Sequence, residues 1–125
     1  MCGIAGIYRF DGKPVTKLMV ERLLKPLSHR GPDDHGVWIN GPIGLGHQRL
    51  SIIDLTTRGH QPMTNEDATL WLTYNGEIYN YQELLTPLLK NHRFRSKTDT
   101  EVILHAYEEQ GIACLQTLNG MWAFA

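Results

Sequence analysis

Strand-like and helix-like runs follow one another along this chain without a regular strand–helix–strand alternation. That excludes a doubly wound parallel sheet and predicts an α+β fold. Cys2 to Phe10 reads as a strand of small and β-branched residues, with Gly3 and Gly6 allowing close backbone approach. Asp11-Gly12 is a turn. Thr16 to about Lys25 reads as a helix, because Met19, Leu23 and Leu27 repeat at helical spacing and Pro26 ends it. Ser28 to Gly36 is a polar loop. Val37–Asn40 and Leu45–Ile53 are strands around Gly41-Pro42, and Asp54–Asp67 is a second polar loop. Thr69–Tyr74 is a strand by propensity. Asn80 is a plausible N-cap for a helix to about Lys90, with Pro87 awkwardly inside it. His92–Ser96 has the makings of a short strand. Thr98-x-x-Glu101 matches a capping box for a helix ending at Gly111. A short helix over Ile112–Leu118, an Asn119-Gly120 turn and a strand opening at Met121 complete the reading.

With 125 residues, 42% apolar and 20% charged, the chain supports one modest core. Its 12 Lys+Arg against 13 Asp+Glu leave a net charge of −1, which gives no electrostatic case for nucleic acid or an anionic membrane. No apolar run reaches the roughly 18 residues of a bilayer span. Two cysteines, no disulfide framework and no signal-peptide pattern point to a reducing, cytoplasmic setting. Cys114 lies in an apolar helical context and reads as a buried structural thiol.

Cys2 is different, since loss of Met1 would leave one residue with both a thiol and a free α-amine. Such an amine titrates at about 7.7–8.0 and can take the thiol proton. A thiol attacking an acyl carbon needs oxyanion donors. The side-chain NH2 of Asn75 and the N–H of Gly76 offer two, although Asn-Gly taken alone reads better as a hairpin turn. Arg49 could grip a carboxylate, and Asp99 and Glu77 an ammonium, against the plainer readings of a surface arginine and first-turn helix acid. The six histidines have no metal-ligand spacing, and His29 and His35 with Asp33 and Asp34 read as a turn-stabilising loop, so no metal site is expected. No phosphate-binding glycine loop is present.

Together the motifs say more than they do singly. Cys2-Gly3-Ile4-Ala5-Gly6-Ile7 and His29-Arg30-Gly31-Pro32-Asp33 resemble the class II glutamine amidotransferases. His47-Gln48-Arg49-Leu50-Ser51-Ile52-Ile53-Asp54, Gln61-Pro62-Met63, Tyr74-Asn75-Gly76-Glu77, Thr98-Asp99-Thr100-Glu101 and Leu118–Ala125 resemble the asparagine synthetase branch. The resemblance implies an N-terminal nucleophile hydrolase fold, with antiparallel sheets packed with helices. It implies hydrolysis of L-glutamine to glutamate and ammonia, with Cys2 as nucleophile and Asn75 and Gly76 as oxyanion hole. Arg49, Glu77 and Asp99 would hold the amino-acid end, and Leu50, Ser51, Ile52 and Ile53 would line the pocket. It implies no cofactor in residues 1–125, and a synthetase domain using ATP and Mg elsewhere in the parent chain, in an enzyme able to homodimerise. Residues 1–125 are expected to be part of the amidotransferase domain, with the partners of the Met121–Ala125 strand beyond Ala125 and the fragment inactive alone. The alternatives are a catalytically silent fragment, or a related amidotransferase with another ammonia acceptor.

Overall fold

The tight turn at Gly41-Pro42 joins the two later strands of the first sheet, and a helix lies between them and the first strand in the chain. In a computed structural model, which describes residues 1–125, β1 (Gly3–Tyr8) pairs antiparallel with β3 (Ile43–Arg49), Gly3 opposite Gln48. The other edge of β3 pairs antiparallel with β2 (Asp34–Asn40), giving the order β1-β3-β2. Helix α1 (Lys17–Leu24) packs on this sheet, capped by Thr16, whose hydroxyl accepts from Met19 N at 3.4 Å. Val20 and Leu24 are buried, and their approach requires the glycines of β3. A Cβ at Gly44 or Gly46 would sit 2.7 Å from a Val20 methyl.

The expected boundaries shift where side chains take backbone donors. Lys25–Arg30 forms a 3-10 turn and β2 starts at Asp34, so the loop after α1 is shorter than the Ser28–Gly36 expectation. β3 stops at Arg49 instead of running to Ile53. The next two amides serve side chains: Leu50 N points at the Cys2 thiol (3.4 Å) and Ser51 N donates to Asp33 Oδ2 (2.7 Å).

The Thr69–Tyr74 strand is the larger correction. Only Trp71–Leu72 (β5) pairs with Met63–Thr64 (β4). The chain then enters β6 (Tyr74–Ile78), which runs antiparallel to β7 (Gly120–Phe124). Asn75-Gly76 therefore lies inside a strand and makes no hairpin turn. Met121–Ala125 already has one partner inside the chain, β6, while the other edge of β7 carries no strand of these residues. Thr73 joins the first sheet to the second, its hydroxyl donating to Gly46 O at 3.0 Å.

Helix α2 (Tyr81–Leu88) accommodates Pro87 in its last turn. Asn80 does not cap it; its side chain bonds Thr117 O and Asn119 N, both at 2.9 Å. His92–Ser96 is irregular, not a strand. Helix α3 (Asp99–Gln110) lacks the expected capping box. Glu101 instead accepts from Arg95 N (2.8 Å), Ser96 N (2.7 Å) and Ser96 Oγ (2.6 Å), tying down the approach to the helix. Met63, Leu72, Tyr74, Ile78, Ile103 and Leu104 form the central core. Cys114 lies in the 3-10 turn Gly111–Gln116, fully buried beside Leu88, Val102 and Ala106, and burial pushes its thiol up as expected of a packing residue.

His47 is buried on β3, its Nε2 bonded to Tyr74 O at 3.0 Å. Burial lowers its pKa to about 4. Its folded pKa lies below the unfolded value of about 6.5, so the unfolded chain binds the extra proton first. Stability is therefore lost as pH falls from about 6.5 to about 4, reaching a loss of about 3 kcal/mol. His47→Gln, which keeps a donor and does not titrate, should flatten this slope in urea midpoints measured across that window. An equally steep slope in the variant would assign the effect elsewhere.

Candidate active site

A cavity of about 160 Å³ lies where the start of β1, the loop after β3, the edge of β6 and the N-terminus of α3 meet. Cys2, Arg49, Leu50, Ile52, Ile53, Asn75, Gly76, Glu77 and Asp99 line it, so the structure brings together nearly all the residues singled out from the sequence. Ser51 does not line it; its amide is held by Asp33, which fixes the loop.

Cys2 Sγ is bracketed by the backbone of Leu50, accepting from its N–H at 3.4 Å and donating to its carbonyl at 3.6 Å. Arg30 Nε donates to Cys2 O at 2.9 Å, pinning the residue that bears the thiol. Arg30 can reach because Gly31 lies directly on the Gln48–Arg49 backbone: a Cβ there would come within 2.6 Å of Arg49 C. The His29–Asp33 motif thus positions the start of the chain.

The register of β6 explains Gly76. Thr73 and Ala125 exchange both backbone hydrogen bonds, at 2.9 and 3.0 Å. Antiparallel pairs alternate, so Tyr74, Gly76 and Ile78 direct their N–H groups away from β7. Gln61 Oε1 takes the Tyr74 N–H at 2.7 Å and Asp99 Oδ2 takes the Ile78 N–H at 2.9 Å. The Gly76 N–H between them has no protein partner and sits on the cavity wall. A side chain is excluded at this position, since a Cβ would lie 2.6 Å from Trp122 Cα. The Oδ1 of Asn75 is the buried end of its amide, which leaves the NH2 open to the cavity.

Arg49 is buried, not a surface arginine. It donates to Thr56 O at 2.8 Å and to Asp54 O, and it lines the cavity. Asp54 shapes this loop. It accepts from Thr56 Oγ1 (2.7 Å), Thr56 N (2.9 Å) and Lys97 N (3.0 Å), and these bonds, the Thr56 hydroxyl foremost, lower its pKa to about 2. Asp99 is buried at the start of α3. Its Oδ2 accepts from the Tyr74 hydroxyl at 2.7 Å as well as from Ile78 N, leaving Oδ1 for a cation. Burial and the Asp99 bond hold the Tyr74 phenol above its ordinary range, so it stays a donor.

Arg30, Asp54, Gln61 and Tyr74 were not singled out as site residues from the sequence. Asp54-x-Thr56 carries an Asx-turn signal that could have marked its loop. Tyr74 would follow from strand alternation once Asn75-Gly76 is read as strand.

One cavity thus gathers a thiol, two open donors, an arginine and a carboxylate, the groups that acyl transfer can use. A family model described as a glutamine amidotransferase domain matches residues 1–125. Glutamine-hydrolysing asparagine synthetase 1 of Arabidopsis thaliana is 46% identical over 125 residues, covering 99% of this chain and 21% of that protein. Glutamine-hydrolysing asparagine synthetase 2 of Bacillus subtilis (strain 168) is 41% identical over 128 residues, covering 100% of this chain and 17% of that protein. The chain thus spans about a fifth of the length of these relatives. The structure of glutamine phosphoribosylpyrophosphate amidotransferase from B. subtilis, complexed with ADP and GMP, superposes with a TM-score of 0.78. That match covers 97% of this chain and 34% of the other at 21% identity, a likeness that carries the fold, that of an N-terminal nucleophile hydrolase. With the family match running through all 125 residues, the chain belongs to the glutamine amidotransferase domain family.

Proposed function

We propose that this domain hydrolyses glutamine to glutamate and ammonia through Cys2. The carrying observation is one cavity with the Cys2 thiol, the unpaired Gly76 N–H and the Asn75 amide, together with Arg49 and Asp99. Once Met1 is removed, the Cys2 α-amine takes the thiol proton and the thiolate attacks the side-chain amide carbon. The oxyanion forms against the Asn75 NH2 and the Gly76 N–H. The amine returns the proton to the leaving nitrogen and ammonia departs, leaving a thioester that water hydrolyses. Arg49 binds the α-carboxylate; Asp99, with Glu77, binds the α-ammonium. Two charged anchors hold the unreacting end, so the amide is presented to the thiol.

In the longer parent chain the ammonia would pass to a synthetase domain using ATP and Mg to make asparagine or a related amide, in an enzyme able to homodimerise. No helix of this chain is long and apolar enough to cross a membrane.

The test is alkylation by diazo-oxo-norleucine, a glutamine-like electrophile, read by intact mass. One adduct on Cys2, blocked by glutamine and absent in Cys2→Ser, is expected. An adduct on Cys114, or labelling that glutamine does not slow, would overturn the assignment.

A further inference from the structure

Away from this cavity, two histidines and four glutamates converge where α3 meets the Asn65–Ala68 turn and the segment after α2. His92 Nδ1 lies 3.8 Å from Glu66 Oε2 and 3.6 Å from Glu108 Oε2. His105 Nδ1 lies 3.8 Å from Glu66 Oε2 and 2.6 Å from Glu108 Oε2. One ligand atom from each of the four residues lies within 4.8 Å of all the others. A tetrahedral ion with bonds of about 2.0–2.1 Å needs ligand atoms roughly 3.3–3.4 Å apart. Three of the four measured edges are a few tenths of an ångström wider than that. The short fourth is a proton-bridged pair whose proton an ion would displace.

The second oxygen of each carboxylate is also held. Glu66 Oε1 accepts from Arg93 N and Glu108 Oε1 from Asn65 Nδ2, both at 2.7 Å. His92 Nε2 faces Glu109 Oε1 at 3.3 Å, and His105 Nε2 faces Glu101 Oε1 at 3.8 Å. Carboxylates behind both imidazoles are the outer arrangement that fixes metal-ligating histidines. His105 Nε2 and His92 Nε2 are buried without a hydrogen-bond partner, so this arrangement does not yet satisfy them. His105 is 1% exposed while the Glu66 side chain is 38% exposed, which gives a buried floor and an open entry.

We propose that Glu66, His92, His105 and Glu108 form a binding site for a divalent transition-metal ion of the zinc class. Two neutral imidazoles and two carboxylates balance its charge, and the mixed nitrogen–oxygen set disfavours calcium and magnesium, which take oxygen ligands. The rings stack at 4.3 Å with 23° between planes, so binding turns the more accessible His92 about its Cβ–Cγ bond. Four protein ligands make a closed, structural site. It clamps α3, whose first residue is Asp99, to two irregular segments.

The test uses the chain with Cys2→Ser, so that the active-site thiol does not compete for metal. Titrating Co2+ should give the intense visible bands of tetrahedral coordination, saturating at one equivalent and bleached by Zn2+. Zn2+ at 100 times its dissociation constant should raise Tm by about 10 °C. Glu109→Gln should weaken binding roughly 10–100-fold, as loss of an outer partner does, and His92→Gln or Glu66→Gln by more. A thermal melt of each metal-free variant checks that the fold is kept, and Glu109→Gln, at the most distant of the three positions from the ion, reads binding where the four ligands are intact. A Co2+ spectrum that stays octahedral, no shift of Tm with Zn2+, or binding unchanged in His92→Gln would each overturn the proposal.

Discussion

A full-length parent that keeps Met1, or carries a tag ahead of Cys2, should release no ammonia from glutamine above about 1% of the rate of the processed parent, since a missing general base typically costs about 10²–10⁴-fold. The reason is the cavity wall, which contains no histidine and no lysine. His47, the histidine nearest in sequence to Arg49, is buried with its Nε2 on Tyr74 O. Asp99 and Asp54 are engaged by neighbouring donors. The α-amine, carried on the same residue as the thiol, is the base the proposed mechanism uses, and an amide bond at Cys2 removes it. The comparison needs a cleavable tag that leaves Cys2 first, with intact mass recorded for each sample. Normal turnover by an uncleaved chain would sink the mechanism. Cys114→Ser should leave turnover unchanged, because Cys114 packs among Leu88, Val102 and Ala106.

How much of this was legible follows from what each signal depends on. The β2–β3 hairpin and α1 were readable because they rest on local turn chemistry and periodicity, and both formed close to expectation. The Asn75-Gly76 pair misled, because a hairpin signal is local while its strand pairing is set by β7, over 40 residues later. The capping box at Thr98 failed for a similar reason: Ser96 and Arg95 compete for the Glu101 carboxylate. The residues lining the cavity were legible through ordered motifs, but what fixes them was not. Arg30 on the Cys2 carbonyl joins positions 28 apart, and Gln61 on Tyr74 joins positions 13 apart. The histidine–glutamate cluster escaped the sequence altogether, since His92 and His105 come together only when the segment after α2 folds back on α3.

Asn75→Ala and Arg49→Ala should fail in different kinetic constants. An oxyanion donor acts mainly in the transition state, so Asn75→Ala should lower kcat by about 10²–10³, or roughly 2.7–4 kcal/mol, with KM for glutamine little changed. The Asn75 NH2 makes no bond within the protein, so its loss leaves no orphaned partner, and its strand pairing with Ala123 runs through backbone. Arg49 holds an end of the substrate that does not react, so its loss should appear chiefly as a raised KM. It also donates to Thr56 O and Asp54 O, and stripping donors from buried carbonyls costs about 1–3 kcal/mol each. Arg49→Lys keeps the charge while losing the fork that matches a carboxylate. It should therefore raise KM while melting closer to the parent than Arg49→Ala does. Steady-state kinetics with a thermal melt on each variant decide the matter. An Asn75→Ala chain with unchanged kcat and raised KM would move Asn75 from the oxyanion to the substrate's other end.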